Sequence, residues 1–293
     1  MKELIEQLAD KGVLAEAIIF IGGFVVFCVW LFRTSFGRRA LLRSEPRRNN
    51  MHPGAAFLVM LAYFGITPFV FLGVWRFIGI ADESWQYYFV NNVVAGIFAT
   101  IVAIAVILLA RRSFARRLKG FGLNPKTIFR DFGAALLNFW AIMPVLGATV
   151  FLTTEIGRLI YGSDFSLGQH QELKNITTYS AAGGLPLIIS VFFVAVVAAP
   201  VLEELLFRGL FQNMVSRFFW DYGYRPWAAI IICSCFFIVF HINNPAHWPA
   251  LFVLSMGLGY SYERSGSLLR PIFIHAIFNA TSVIATLLIV HTA

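Results

Sequence analysis

Three short segments of this chain carry residue types suited to hydrolysis, set where an apolar sequence has no local reason to hold them. One reads Glu203 and Glu204, then Arg208, at the end of an apolar run that begins at Leu185. Another ends in Phe237 and His241, and a third holds His275 and Asn279. On a helix, Glu204 and Arg208 lie one turn apart with the acid first, the favourable order for an ion pair along one face. Glu203 points about 100° away around the same helix and is left free for chemistry. Pro200 takes away one backbone hydrogen bond just before the pair and is expected to kink the helix. Phe237 shares a face with His241, as His275 does with Asn279. A charge at the centre of a bilayer helix costs about 2.5–3.5 kcal/mol on insertion scales, so each such residue is a hypothesis about function. A carboxylate in apolar surroundings suits a general base, and a neighbouring histidine can orient a water or relay its proton. A second histidine with an asparagine can donate hydrogen bonds to a developing oxyanion. Each segment also has a plainer reading. The two acids could sit at the cytoplasmic interface, paired with Arg208, and His241 could be a satisfied interfacial residue. His275 and Asn279 could simply bond between helices, for about 0.6–2 kcal/mol each.

Taken in order, Glu-Glu-x-x-x-Arg (Glu203, Glu204, Arg208), Phe-x-x-x-His (Phe237, His241) and His-x-x-x-Asn (His275, Asn279) resemble the CAAX protease and bacteriocin-processing (CPBP) family. That family includes the Ras-converting prenyl endopeptidases and the Abi proteins. The stretch 257–262, followed by Ser265-Gly266-Ser267-Leu268 before Pro271, resembles the family's linker. The resemblance runs over about residues 185–289. It implies an intramembrane endopeptidase acting on a protein or peptide substrate, either CAAX-like or otherwise membrane-associated. It implies that Glu203 with His241 activates the attacking water, that His275 and Asn279 form the oxyanion hole, and that Glu204 and Arg208 hold the site together, with Phe237 in support. Members have been described both as metalloproteases and as metal-independent. Glu203, His241 and His275 could supply three zinc ligands, but the sequence contains no His-Glu-x-x-His helix. The expectation is that no metal is required, with zinc as the alternative. The rival from another class is a non-catalytic immunity or scaffold protein, or a carrier. A carrier would call for broken helices in both halves of the chain, yet the first half lacks intramembrane charge.

The elements that must position these residues follow from composition. Hydrophobic residues make up 59% of the 293, charged residues 13%, and the mean hydropathy is +0.75. A soluble domain is about 45–50% apolar and a quarter charged, so the lipid bilayer is the solvent and partner of this chain. Backbone in lipid must satisfy itself, which leaves helices or a closed barrel. Continuous apolar runs such as 101–110 select helices. The expected fold is an all-α bundle of about eight spans, near residues 17–32, 55–80, 88–110, 132–151, 185–207, 227–240, 249–262 and 268–289. Residues 1–160 read as a scaffold of four spans and 185–291 as the protease core. The N-terminal apolar run is followed by Phe36–Arg39 rather than a small-residue cleavage site, and reads as a retained anchor.

All but five of the 23 Lys and Arg residues fall in alternate connections, at 33–48, 111–130, 208–225 and 264–270; the five are Lys2, Lys11, Arg76, Arg158 and Lys174. The positive-inside rule then makes those connections cytoplasmic and leaves both termini outside, at the plasma membrane in a bacterial source. The net charge of +8 is topology on this reading, and no nucleic-acid partner is expected. Cys233 and Cys235 read as buried apolar side chains rather than a metal pair. Convergence of the three segments carries a condition. At about 1.5 Å per residue, a fifth helix ending at Phe207 leaves Glu203 near the surface and His241 about 20 Å from it. Convergence therefore requires the fifth helix to run on through 210–218; equivalently, Glu203 must sit deeper and the stretch 242–249 must not be a simple external loop.

Overall fold

The computed structural model describes residues 2–42, 44, 47–78, 84–168, 171–219, 222, 224–241 and 245–292. It is an all-α membrane bundle. In chain order come α1 (Lys2–Arg33), α2 (Pro53–Ile78), α3 (Trp85–Ser113), the short α4 (Arg117–Phe121) and α5 (Ile128–Tyr161). A long rod follows, built from α6 (Gln171–Phe192), α7 (Ala199–Glu204) and α8 (Asn213–Phe218), spliced by π-helical stretches at Phe193–Ala198 and Leu205–Gln212. The last three helices are α9 (Arg225–Val239), α10 (Trp248–Ser265) and α11 (Leu269–Thr292).

Seven of the eight expected spans each fall on one of these helices and that at 185–207 falls on the rod, residues 79 and 80 of the second span lying outside the described residues. Five stretches are long and apolar enough to cross a membrane: Pro53–Arg76, Trp85–Ser113, Pro125–Tyr161, Ala182–Phe218 and Leu269–Leu288. Ala17–Arg33 and Pro226–Val239 are shorter apolar helices. The helix α10 is the least apolar of the eight because it carries Ser255, Ser261 and Glu263, all buried inside the bundle. The distribution is that of a lipid-solvated protein. Phe69, Leu72, Ile101 and Phe151 are exposed, whereas Glu204, Arg208, Gln212 and Asp131 have no exposure at all. Lipid accepts the apolar exterior, and the polar groups must find partners within.

The rod meets the geometric condition set by the sequence. Its apolar stretch continues to Phe218, so Glu203 lies about 22 Å from that end at about 1.5 Å per residue. It bends at Gly184, whose φ of +52° belongs to glycine, two residues before Pro186.

The basic connections gather at one end of the bundle. Ala115 N–H donates to Arg48 O (3.1 Å), and Leu268 N–H donates to Gly122 O (2.9 Å). Arg47 reaches Tyr262 O (3.0 Å), and Arg217 reaches Met51 O (2.6 Å). Gly122 (φ +104°) is required here, since a Cβ would lie 2.8 Å from Leu268 N. Asp131, near the start of α5, anchors the start of α11. It accepts from Thr127 Oγ1 (2.6 Å), Ser267 Oγ (2.7 Å) and Arg270 Nε (2.9 Å). Nothing in the sequence around Asp131 marked it out, because the partners on α11's side, Ser267 and Arg270, lie more than a hundred residues away.

That anchor fixes the register of the helix carrying His275. Asp131→Ala should lower the thermal unfolding midpoint in detergent, through loss of about 1–3 kcal/mol for hydrogen bonds to a buried charged group. Arg130→Ala, which removes a 68% exposed guanidinium 3.7 Å from Asp131 Oδ1, should cost less than about 1 kcal/mol in the same measurement.

Candidate functional site

The rod positions both glutamates, and its irregularities have identifiable causes. In the first π-helical stretch Ala199 N–H donates to Val194 O. The next residue, Pro200, has no N–H, which leaves the Ala195 carbonyl without a donor from the rod. Asn279 Nδ2 on α11 donates to that carbonyl at 2.7 Å. In the second stretch Asn213 Nδ2 takes up Gly209 O (2.7 Å) and also bonds Tyr262 Oη (2.8 Å). The segment bearing Glu203 and Glu204 is thus held between two splices, each stapled by an asparagine amide. Single π turns inside α-helices recur at functional sites.

Glu204 is the hub. Its Oε1 accepts from Arg208 Nη1 at 2.9 Å and lies 2.9 Å from His275 Nδ1, with Glu204 and Arg208 wholly buried. Arg208 Nη2 goes on to Ser255 Oγ (2.7 Å) and Ser255 O (3.1 Å) of α10. Below this layer Gln212 Nε2 donates to Glu263 Oε1 (3.0 Å), whose other oxygen accepts from Ser44 (2.6 Å). Gly259 allows the layer to close, because a Cβ there would lie 2.9 Å from Gln212 Oε1.

Glu203 stands apart from this pairing. It has no Lys or Arg at ion-pair distance among the described residues. His275 Nε2 lies 3.9 Å from its Oε2, and the side chain is 23% exposed. That exposure is to a cavity of about 1120 Å3, whose wall also includes His241, His275 and Asn279.

The two histidines are oriented alike. His241 Nδ1 lies 2.9 Å from Phe237 O, and His275 Nδ1 faces Glu204. Both partners can only accept, so each Nδ1 carries its hydrogen and each Nε2 is the nitrogen left for chemistry. Phe237 packs between the two rings, with centroids 4.5 Å from His241 and 6.1 Å from His275. The Arg208 guanidinium lies 5.1 Å from the same phenyl centroid.

The structure therefore brings Glu203, Phe237, His241, His275 and Asn279 to one cavity wall, with Glu204 and Arg208 packed behind them. No group of three His, Cys, Asp or Glu side chains among the described residues is arranged to hold a metal ion, and Glu203, His241 and His275 form no such group. Cys233 is buried with Sγ toward Phe207 O (3.3 Å), while Cys235 is exposed on another face.

The first half of the chain contributes cavity walls that its sequence did not announce: Pro68 to Trp75 of α2, and Tyr87, Asn91 and Asn92 of α3. The adjacent amides of Asn91 and Asn92 inside an apolar span were the available signal. Gln212, Asn213 and Glu263 were likewise missed, because their roles depend on partners about 50 residues away.

Fold and site together define a polytopic membrane protein with an acid–histidine cluster inside its bundle. Residues 185–281 match the family model of the type II CAAX prenyl endopeptidase Rce1-like proteins, a match consistent with the CPBP family. All seven motif residues fall within it. Over 144 residues the chain is 27% identical to UPF0177 protein YaiF of Lactococcus lactis subsp. lactis (strain IL1403), covering 48% of this chain and 61% of that protein. Over 123 residues it is 29% identical to an uncharacterized 24.3 kDa protein of Escherichia coli, covering 40% of this chain and 55% of that one. The matches thus span little more than half the length of these relatives. No solved structure matches. The apolar helices and the family match together make this an integral membrane protein.

The buried pair can be tested directly. Arg208→Met leaves Glu204 buried without its cation and should cost about 3–5 kcal/mol. Adding Glu204→Gln in the same chain should recover part of that loss. Unfolding of the purified variants in detergent measures both.

Proposed function

We propose that this protein is an intramembrane endopeptidase that hydrolyses a peptide bond with a water activated by Glu203, without a resident metal. The observation that carries the reading is Glu203 itself. It is a carboxylate with no Lys or Arg partner among the described residues, set on the wall of a large cavity beside two histidines whose free nitrogens are Nε2. An ionisable side chain inside a membrane bundle without a charge partner is costly to keep, which makes it a functional-site hypothesis by default.

In the proposed step Glu203 takes a proton from water, with His241 orienting it, as the water oxygen attacks the scissile carbonyl carbon. The resulting oxyanion lies against His275 and the second N–H of Asn279, whose first N–H is committed to Ala195 O. Nε2 of His275 donates only when the ring carries both protons, and Glu204 behind it balances the imidazolium charge. The intermediate collapses as the C–N bond breaks, and the proton held by Glu203 passes to the departing amine. Glu204, Arg208 and Phe237 hold the histidines in position. Fixed donors aimed at a developing oxyanion act strongly in surroundings that exclude water. The alternative, an immunity or scaffold protein, leaves the unpaired Glu203 and the cavity without a role.

The test is proteolysis by the purified, detergent-solubilised protein on fluorogenic peptides of apolar sequence, including prenylated CAAX peptides. Glu203→Gln and His241→Ala should lower the rate about 10²–10⁴-fold, the usual contribution of a general base. Asn279→Ala should lower it by up to about 10²–10³-fold, as for an oxyanion donor. Chelator should leave cleavage unchanged. Wild-type rates in folded Glu203→Gln and His275→Ala variants would overturn the assignment, and absence of wild-type cleavage across the panel would favour the non-catalytic alternative.

A further inference from the structure

The cavity has a direction. Its walls come from the C-terminal halves of α2 and α5, the N-terminal halves of α3 and α10, and the middle of α11 from His275 to Val283, among them Trp75, Tyr87, Val150, Ala250 and Ser282. The basic connections adjoin the opposite ends of α2, α3, α5 and α10, and the start of α11. Leu167 and Gly168 of the α5–α6 connection complete the rim together with His247, and His247 Nε2 is 2.7 Å from Gly168 O. Aromatic pairs ring this end of the bundle, with Trp75 stacked on Tyr87 (4.1 Å) and Tyr88 against Tyr179 (4.8 Å), as at a membrane–water interface.

Toward the basic end the site is closed. Arg208, Gln212, Asn213, Tyr262 and Glu263 fill the bundle there, all buried. Arg47 caps the plug, its guanidinium 3.5 Å from the centroid of the Tyr262 ring.

Short connections rich in Lys and Arg remain cytoplasmic. We infer, resting on the protease reading above, that the site takes its substrate from the extracytoplasmic face, and that this substrate is an extended apolar segment of an exported or membrane-spanning polypeptide. A cytosolic lipid-modified C terminus would meet the plugged end. The cavity volume of about 1120 Å3 lies above the ~300–1,000 Å3 of small-molecule pockets and suits several residues of extended chain.

Single cysteines introduced after Cys28, Cys233 and Cys235 are removed give the test, read with a membrane-impermeant maleimide on right-side-out and inside-out vesicles. Ser282→Cys on the cavity wall and Ser166→Cys near the rim should react in right-side-out vesicles. Lys126→Cys in a basic connection should react only in inside-out vesicles. Reaction of Ser282→Cys only in inside-out vesicles, or of Lys126→Cys in right-side-out ones, would overturn the inference, as would a Ser282→Cys that reacts from neither side. Labelling does not depend on catalysis, so its failure is separate from that of the protease reading, which is judged in detergent with both faces open. With that reading upheld, a reporter polypeptide carrying an apolar cleavable segment should be cut when the segment lies outside, with cleavage lost in Glu203→Gln. Cleavage confined to a reporter displayed in the cytosol would overturn the inference.

Discussion

One oxygen atom organises the interior of this bundle. Glu204 Oε1 faces the guanidinium of Arg208 and the Nδ1 of His275 at the same distance, with no exposure to lipid or water. Attraction between charges is strong at low dielectric, but so is the desolvation cost, and such a pair is tolerated only when its remaining donors are also met. Arg208 meets part of that demand by extending Nη2 to Ser255, which brings α10 against the rod, while its Nε and Glu204 Oε2 have no partner among the described residues. His275 brings α11. Three helices distant in sequence are thereby held to one carboxylate. Glu203, one residue earlier and about 100° around the helix, is excluded from the same bargain and faces the cavity.

The rod could not present this arrangement as a regular helix. Pro200 and the two π-helical stretches leave carbonyls without intrahelical donors, and in a membrane those carbonyls cannot turn to water. Asn279 satisfies the Ala195 carbonyl from the side, and Asn213, within the rod itself, donates to Gly209 O. Asn279 therefore has a structural task as well as its proposed chemical one, since the amide that pins Ala195 O also fixes how α11 lies along the rod. The residues behind the site are equally constrained by what surrounds them. Gly259 and Gly122 are needed because other groups already occupy the space a Cβ would take.

The polar plug and the aromatic rim give the bundle opposite ends. At one end Arg47, Gln212, Glu263 and Tyr262 knit the basic connections to the rod and leave no passage. At the other, Trp75, Tyr87 and His247 surround an opening into the cavity. The proposed hydrolysis in lipid would need both features, because water must reach the carboxylate while the surroundings stay dry enough for fixed dipoles to act strongly.

Much of the fold was legible in the sequence because lipid imposes a simple code. Apolar runs of sufficient length become helices, and the distribution of Lys and Arg sorts their connections. The pairing of Glu204 with Arg208 was legible for the same reason, as it depends only on local helical periodicity. So was the need for the rod to extend past Phe207, which followed from rise per residue alone. Tertiary structure decided the rest. That Asp131 anchors α11, that Asn279 staples a carbonyl orphaned by Pro200, and that α2 and α3 wall the cavity all depend on contacts between residues far apart in the chain. No helical period encodes such contacts. The two glutamates show the division well: the sequence alone separated their directions around the helix, and only the packing of α9, α10 and α11 determined what each one faces.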